Sequence, residues 1–242
     1  MLQEGRSQET PKPAAAPRCP RCSEVAASGQ KFCGACGAPL PRRCERKHLT
    51  VLLSDVSGFT AMSERLDAED VREILDRVFE IIIDTVHAHG GTVNQFLGDG
   101  VMALFDDTAD RDHATRALRA ALTIEARLEP VRADVLLEHG VGFRVRIGVH
   151  TGPVVMGMIG DGLRSDYVPQ GETTDVAALL IAAARPGEVL ATQQTLEHAA
   201  QTFVSRSAGD IARATGERVG SYAVMGELPE RVDAEAGLLV EM

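Results

Sequence analysis

Tryptophan is absent from this 242-residue chain, and only 4% of its residues are aromatic. The flat rings on which bases or sugars stack are therefore scarce, which argues against that kind of recognition. Positive charge is also short. Against 35 Asp and Glu stand 25 Lys and Arg, for a formal net charge of -10 at pH 7, so a polyanion such as nucleic acid, or an anionic membrane, is repelled and neither partner is expected. Long apolar runs are missing too. The longest, VAALLIAAA, is far too short to span a bilayer, and residues 1–17 lack the apolar centre of a signal peptide. A cytoplasmic location is the expectation. All five cysteines fall between Cys19 and Cys44, so no disulfide framework holds the rest of the chain together.

A hydrophobic share of 44% is enough for a proper core of ordinary domain size with a small appendage. The cysteines mark the appendage. Cys19, Cys22, Cys33 and Cys36 form two CxxC pairs separated by ten residues, a spacing that lets four thiolates reach one ion. A thioredoxin-like redox CxxC needs a flanking strand and helix that this segment is too short to supply. Cys44 lies outside the pairs and reads as a spare thiol. The organisation expected is a disordered tail at 1–17, a zinc ribbon at 18–41, a main domain at 47–226 and a C-terminal tail at 227–242, with the ribbon either binding a partner or capping its neighbour.

The main domain is organised around VLLSDVSGFT, residues 51–60. Val51, Leu52 and Leu53 read as a buried strand that delivers Asp55 at its end, and Ser57 and Gly58 supply a turn whose backbone N–H groups can face phosphate oxygens. A second carboxylate, Asp99, sits between Gly98 and Gly100 in VNQFLGDGVMALF, the pattern of a hairpin tip. Each feature alone is also an ordinary turn. Should the hairpin lie beside the first strand, Asp55 and Asp99 converge as two hard cations carrying a triphosphate require.

Between and after these stretches the pattern alternates. Asp67 reads as the N-cap of a long helix in which Val71, Ile74, Leu75, Val78, Phe79, Ile82 and Val86 recur until Gly90 and Gly91. A second helix opens near Asp110, with Ala114, Ala117, Leu118, Ala121 and Leu122 on one face. In FRVRIGVH, Phe143, Val145, Ile147 and Val149 alternate with polar positions, and Thr151 to Pro153 read as a turn into a second strand, VVMGMIG. Further short elements are expected at 171–184, Glu188–Ala191, Gln193–Ala200 and Gly220–Val224. The order predicts an α+β fold, a ferredoxin-like βαββαβ core with appended α/β elements and helices on one face of an antiparallel-rich sheet. His87 and His89 point to different faces of a helix and His150 ends a strand, so these and His113 read as surface or satisfied core histidines.

SDVSGFT, the helix running to HGG, FLGDGVMALF, RVRIGVHTGPVVMGMIG and LRSDYVPQGETT, in that order, resemble the class III adenylate/guanylate cyclase homology domain from about Lys47 to Gly226. The resemblance implies a head-to-tail dimer, homodimer or heterodimer, that binds ATP or GTP with two Mg²⁺ or Mn²⁺ ions. It assigns Asp55 and Asp99, with Val56 beside them, to the metals, and Val56, Ser57, Gly58, Phe59 and Thr60 to the phosphate cradle. The family's partner-side groups differ in this chain. Gln95 stands where a base-selecting lysine is usual, Val168 where a polar base-selecting residue is usual, Asp175 in place of the ribose-orienting asparagine, and Leu179 in place of the transition-state arginine. Arg164, and less so Arg213, remain candidates for the pyrophosphate end.

These departures oppose catalysis. Loss of one preorganised donor costs about 10²- to 10³-fold in rate, and a carboxylate about 5 Å from a phosphate costs roughly 3 kcal/mol at an effective dielectric near 20, unless Asp175 holds a further cation between them. Three readings follow: a degenerate domain that keeps metal and triphosphate binding, an active cyclase with unusual substrate choice or a heteromeric partner, and a zinc-ribbon interaction protein whose larger domain is a scaffold.

Overall fold

The computed structural model describes residues 19, 21–25, 27, 30, 32–38, 40, 45–106, 112–160, 165–200 and 202–229. The readings for the tail at 1–17, Cys44, Asp110, Arg164 and 230–242 lie outside these residues, as does the side chain of Val168. The chain divides into two compact units, Met1–Cys44 with Gly157–Asp166, and Glu45–Met156 with Tyr167–Met242.

In the first unit each CxxC pair closes a tight turn. The Ser23 N–H donates to the Cys19 carbonyl at 2.9 Å and the Gly37 N–H to that of Cys33 at 2.9 Å. All four sulfurs, Cys19, Cys22, Cys33 and Cys36, lie within 4.8 Å of one another. Cys19 and Cys33 are buried, and Ala38 and Leu40 pack with them as a small apolar nucleus.

The second unit contains one sheet. In chain order its elements are β1 (Glu45–Ser57), α1 (Phe59–Ser63), α2 (Ala68–Ala88), β2 (Thr92–Phe96), β3 (Gly100–Phe105), α3 (His113–His139), β4 (Arg144–Gly160), β5 (Ser165–Gln170), α4 (Glu172–Ala183), β6 (Val189–Thr192), α5 (Gln193–His198), β7 (Phe203–Ala212) and β8 (Arg218–Glu227). The spatial order β2-β3-β1-β4-β6-β8-β7, with β5 paired to β4, contains the ferredoxin-like βαββαβ core in its first four strands. All the pairings between neighbours along this path are antiparallel except β4 with β6.

Period-two alternation sorts the strand side chains onto two faces. Leu52 and Val56 of β1, Val101, Ala103 and Phe105 of β3, and Val145, Ile147 and Val149 of β4 pack against the apolar stripe of α2, the small residues Ala114, Ala117 and Ala121 of α3, and Leu196 of α5. Each fully buried Leu, Ile or Val contributes about 1.5–3 kcal/mol. Leu49, Val51, Leu53, Met102, Val154 and Met156 point the other way and meet Ala177 and Ile181 of α4. Helices thus cover both faces, which corrects the one-sided expectation: the apolar phase of α4 has a sheet face of its own to bury.

The turn read at Thr151 to Pro153 is corrected as well. β4 runs straight through it, and its pairing with β1 continues without a break from Arg144 opposite Ser57 to Met156 opposite Glu45. A proline is accepted within a strand where the ladder does not need its nitrogen. Asp67 does stand at the N-cap of α2, but with no side-chain cap hydrogen bond. Asp112 takes the corresponding place for α3, which begins at His113. The strand at Gly220–Val224 is the middle of the longer β8, and its partner β7 had no reading.

α4 lies against β4 with no room for a side chain between them. A Cβ built on Gly148 sits 2.6 Å from the Ala177 carbonyl oxygen and 3.0 Å from the Leu180 Cβ. Backbone cannot rotate aside as a side chain can, so Gly148→Ala is expected to cost about 1–3 kcal/mol, seen as a lower urea midpoint with an unchanged slope.

Candidate functional site

β1 lies between β3 and β4, and the two registers meet at its C-terminal end: Asp55 stands opposite Gly100 on one side and opposite Arg146 on the other. Alternation sends Asp55 and Arg146 to the face that carries α4. There the Arg146 Nε–H donates to Asp55 Oδ2 at 3.1 Å and its Nη2 bonds the same oxygen. Arg146 and Asp55 keep 29% and 24% of their side-chain surface exposed, so the pair is reachable from solvent.

The tip between β2 and β3 folds onto this end. Gly98 adopts a left-handed φ of 71°, a conformation open to glycine at little steric cost, and the Leu97 N–H donates to the Gly100 carbonyl at 2.8 Å. The Val56 N–H donates to the Asp99 carbonyl at 3.2 Å, tying the tip to β1 just beyond Asp55. A Cβ on Gly100 would fall 2.4 Å from the Ser54 carbonyl oxygen, so only glycine permits this approach. Asp99 is brought close enough to feel its neighbours. Burial pushes its carboxyl above the usual range, a bond from its own N–H opposes this, the charge of Asp55 raises it further, and Arg146 lowers it. A carboxyl group set beside a second acid suits a divalent cation, which relieves the repulsion between them.

Beyond Asp55, Ser57 closes β1, and Gly58 at φ 94° is the N-cap of α1, where Phe59 and Thr60 form the first turn. Gln95 lies on β2 opposite Met102, partly buried beside a bulge in the ladder. Val168 is placed only by its backbone, in β5. Asp175 and Leu179 stand one turn apart on α4, exposed and half-buried, while Val176, Ala177 and Leu180 are buried. Arg213 is held by Glu172 at 2.6 Å and Glu217 at 2.5 Å. The structure therefore gathers Asp55, Asp99, Val56 and the turn that follows at one end of the sheet, and places Asp175 and Leu179 on a separate helix.

Arg146 escaped the sequence reading. Its one signal was its polar phase within FRVRIGVH, which identifies a half-buried strand but not which strand lies opposite.

The histidine readings agree with the structure. His87 is exposed, and the His89 Nδ1 bonds the Thr85 carbonyl. His113 is buried with Nδ1 at 2.7 Å from Thr50 Oγ1, and His150 is buried with Nδ1 at 2.8 Å from Thr192 Oγ1. His150 lines a cavity of about 290 Å³ together with Glu172, Val176, Thr192, Arg213 and Val219.

A sequence profile described as the adenylate and guanylate cyclase catalytic domain matches residues 42–226. The chain belongs to that family. The cyclase domain is similar to Adenylate cyclase 1 of Rhizobium meliloti (strain 1021), with 37% identity over 140 residues, 57% of this chain and 21% of that protein; the chain matches only about a fifth of its relative's length. Among solved structures it resembles the adenylyl cyclase CyaB from P. aeruginosa at 28% identity and a TM-score of 0.73, covering 77% of this chain and 97% of the other. The guanylyl cyclase Cya2 is as similar, at 28% identity and a TM-score of 0.71, with 79% and 98% covered. Among the described residues no helix is long and apolar enough to cross a membrane.

His150 gives the cyclase domain an acid-sensitive joint. Burial, first among its causes, pulls the imidazole from the ordinary 6.5 down to about 4. The unfolded chain takes up this proton near 6.5 and the folded one not until about 4, so between them the unfolded state binds more protons and acidification favours unfolding. Folding stability is expected to fall by about 3 kcal/mol at most across that window, which follows from the shift to about 4. Urea unfolding of wild type and His150→Asn at neutral pH and at about pH 4.5 checks this: the variant should lose that part of the pH slope.

Proposed function

We propose that the cyclase domain binds a nucleoside triphosphate, ATP or GTP, together with two divalent ions, Mg²⁺ or Mn²⁺, at the Asp55 and Asp99 end of the sheet, and that it acts as one half of a dimer. On this reading it has weak or no cyclase activity as a homodimer and serves as a nucleotide-responsive signalling domain. The observation that carries it is the meeting of Asp55 and Asp99 where three strands converge, with Arg146 as the cation paired to Asp55.

When bound, two such ions acidify the ribose 3′ hydroxyl and neutralise the departing pyrophosphate. The chain's own groups do the rest. Asp55 is oriented by Arg146, and Asp99 is set by the hydrogen bond from the Val56 N–H to its carbonyl. The first-turn N–H groups of α1, beyond Gly58, have no partner within the helix and suit phosphate oxygens. On the complementary half Leu179 offers no donor to the developing charge, and Asp175 adds a negative charge where a neutral amide would orient the ribose. The four thiols of Cys19, Cys22, Cys33 and Cys36 suit Zn²⁺, which takes four sulfur ligands in a closed tetrahedral site.

A second reading, a working nucleotidyl cyclase completed by a different partner domain, is favoured by the intact half-site of Asp55, Asp99 and Arg146. Calorimetry with ATP and GTP in the presence of Mg²⁺ or Mn²⁺ tests the binding common to both. Metal-dependent binding weakened at least about tenfold by Asp55→Ala and by Asp99→Ala is expected; absence of such binding in the parent ends both readings. The double change Asp175→Asn with Leu179→Arg then separates them. If those two positions hold the homodimer back, cyclic nucleotide formation rises by about 10²- to 10³-fold. A parent already fast, or a double variant no faster, removes the claim of degeneracy.

A further inference from the structure

A cavity of about 510 Å³ opens where α3, residues 185–188, β6 and the β7–β8 pair meet. Small-molecule sites commonly have volumes of about 300–1,000 Å³. Its floor belongs to the face of the sheet that packs on α3, where Val189 of β6 and Val224 of β8 are buried and Leu122 of α3 lies against the same core. Asp55 and Arg146 leave β1 and β4 on the opposite face, so the sheet stands between this cavity and the carboxylate pair. We propose that the cavity binds a small monocarboxylate with a compact apolar body, its carboxylate at Arg185 and its body over Leu122, Val189 and Val224.

The charges along the cavity leave one cation over. Glu188 is engaged through both oxygens, Oε2 accepting the Arg185 N–H at 3.0 Å and Oε1 accepting from Arg206 Nη2 at 3.2 Å. Glu125 is answered by Arg132, whose Nη2 donates to Oε2 at 2.6 Å, and its Oε1 is covered by protein. Among the described residues the guanidinium of Arg185 has no ion pair and no hydrogen bond, and it is exposed at the rim. In a chain of formal net charge -10, this surplus positive charge favours an anion where most of the surface would repel one. The planar fork of a guanidinium can donate two parallel bonds to a carboxylate. One surplus charge matches a monoanion, whereas a triphosphate would bring several negative charges that the lining does not answer.

The remaining lining calls for an apolar body. Pro186, Ala223 and Met225 extend the surface made by Leu122, Val189 and Val224, and Met225 is 60% exposed, so a ligand seated there removes apolar area from water. The wall is already built. The Gly187 N–H donates to the Val145 carbonyl at 3.0 Å, the Ile147 N–H to that of Glu188 at 3.1 Å and the Glu188 N–H to that of Arg185 at 2.9 Å, which ties residues 185–188 to β4 and closes them as a turn. A preformed wall spares the ligand the cost of ordering a loop.

The whole chain, without added nucleotide or Mg²⁺, is titrated calorimetrically with phenylpropionate. Phenylpropanol and phenylpropylamine probe the need for the negative charge, and acetate the need for the apolar body. Saturable binding of phenylpropionate is expected, at least about fivefold tighter than that of the other three, and weakened at least about fivefold by Arg185→Glu and by Met225→Glu, each of which puts a carboxylate at the rim. Both positions are exposed, and circular dichroism checks that each variant folds as the parent does. No saturable binding by the parent, binding of the alcohol as tight as that of the acid, or a smaller loss in either variant overturns the proposal. Because metal and nucleotide are left out, the outcome does not depend on whether Asp55 and Asp99 hold a triphosphate.

Discussion

The structure depends on the ladder between β1 and β4. It runs unbroken from Ser57 opposite Arg144 to Glu45 opposite Met156, and β3 holds the other edge of β1 from Thr50 to Asp55. A strand paired on both sides has no freedom of register. A slip of one residue would exchange Leu52 and Val56 for Val51, Leu53 and Asp55 at the face of α2 and α3, burying a carboxylate among Val101, Val145 and Ile147. The same constraint that builds the core therefore fixes where Asp55 emerges and what stands beside it.

Seen from that ladder, the two halves of the candidate site differ in how they are made. Asp55, Asp99 and Arg146 are placed by hydrogen bonds between strands and by a glycine tip, so their mutual geometry belongs to one chain. Asp175 and Leu179 sit on α4, whose buried side presses on the sheet while they occupy its other surface. The dimer in the proposed reading comes from the family resemblance, which implies that a second copy or a related domain presents its α4 to a ligand held at Asp55 and Asp99. The electrostatics agree. Among the described residues the Asp55 and Asp99 end sets two acids beside the guanidinium of Arg146, and another acid such as Asp175 opposite them would ask more of any cation bound there.

Much of this was legible in the residues themselves. Alternation in VLLSDVSG and FRVRIGVH marks the strands because a sheet covered by helices demands apolar side chains at period two. The stripe from Val71 to Val86 marks α2 for the corresponding helical reason, and the GDG tip declares itself by its glycines. Thr151 to Pro153 misled because local turn chemistry competes with pairing, and thirteen consecutive pairs with β1 outweigh the preferences of three residues. α4 was read as helix, but not its side of the sheet, since periodicity shows that a face is buried without naming what covers it. Arg146 was illegible for a different reason. It is significant only through Asp55, dozens of positions away, and nothing local distinguishes a polar side chain that meets a partner from one that meets water.

Two glycines give the carboxylate end a further property. Gly100 brings the tip against the Ser54 carbonyl, and Gly148 brings α4 against β4 near Leu53, so at both places the walls are main chain. Main chain has no rotamers to hop between. Thermal reshuffling of side chains in the hydrophobic interior is thus poorly transmitted to the gap between the two acids, whose width follows the inter-strand bonds instead. That gap should stay nearly constant on warming until the strands part, and then be lost at once.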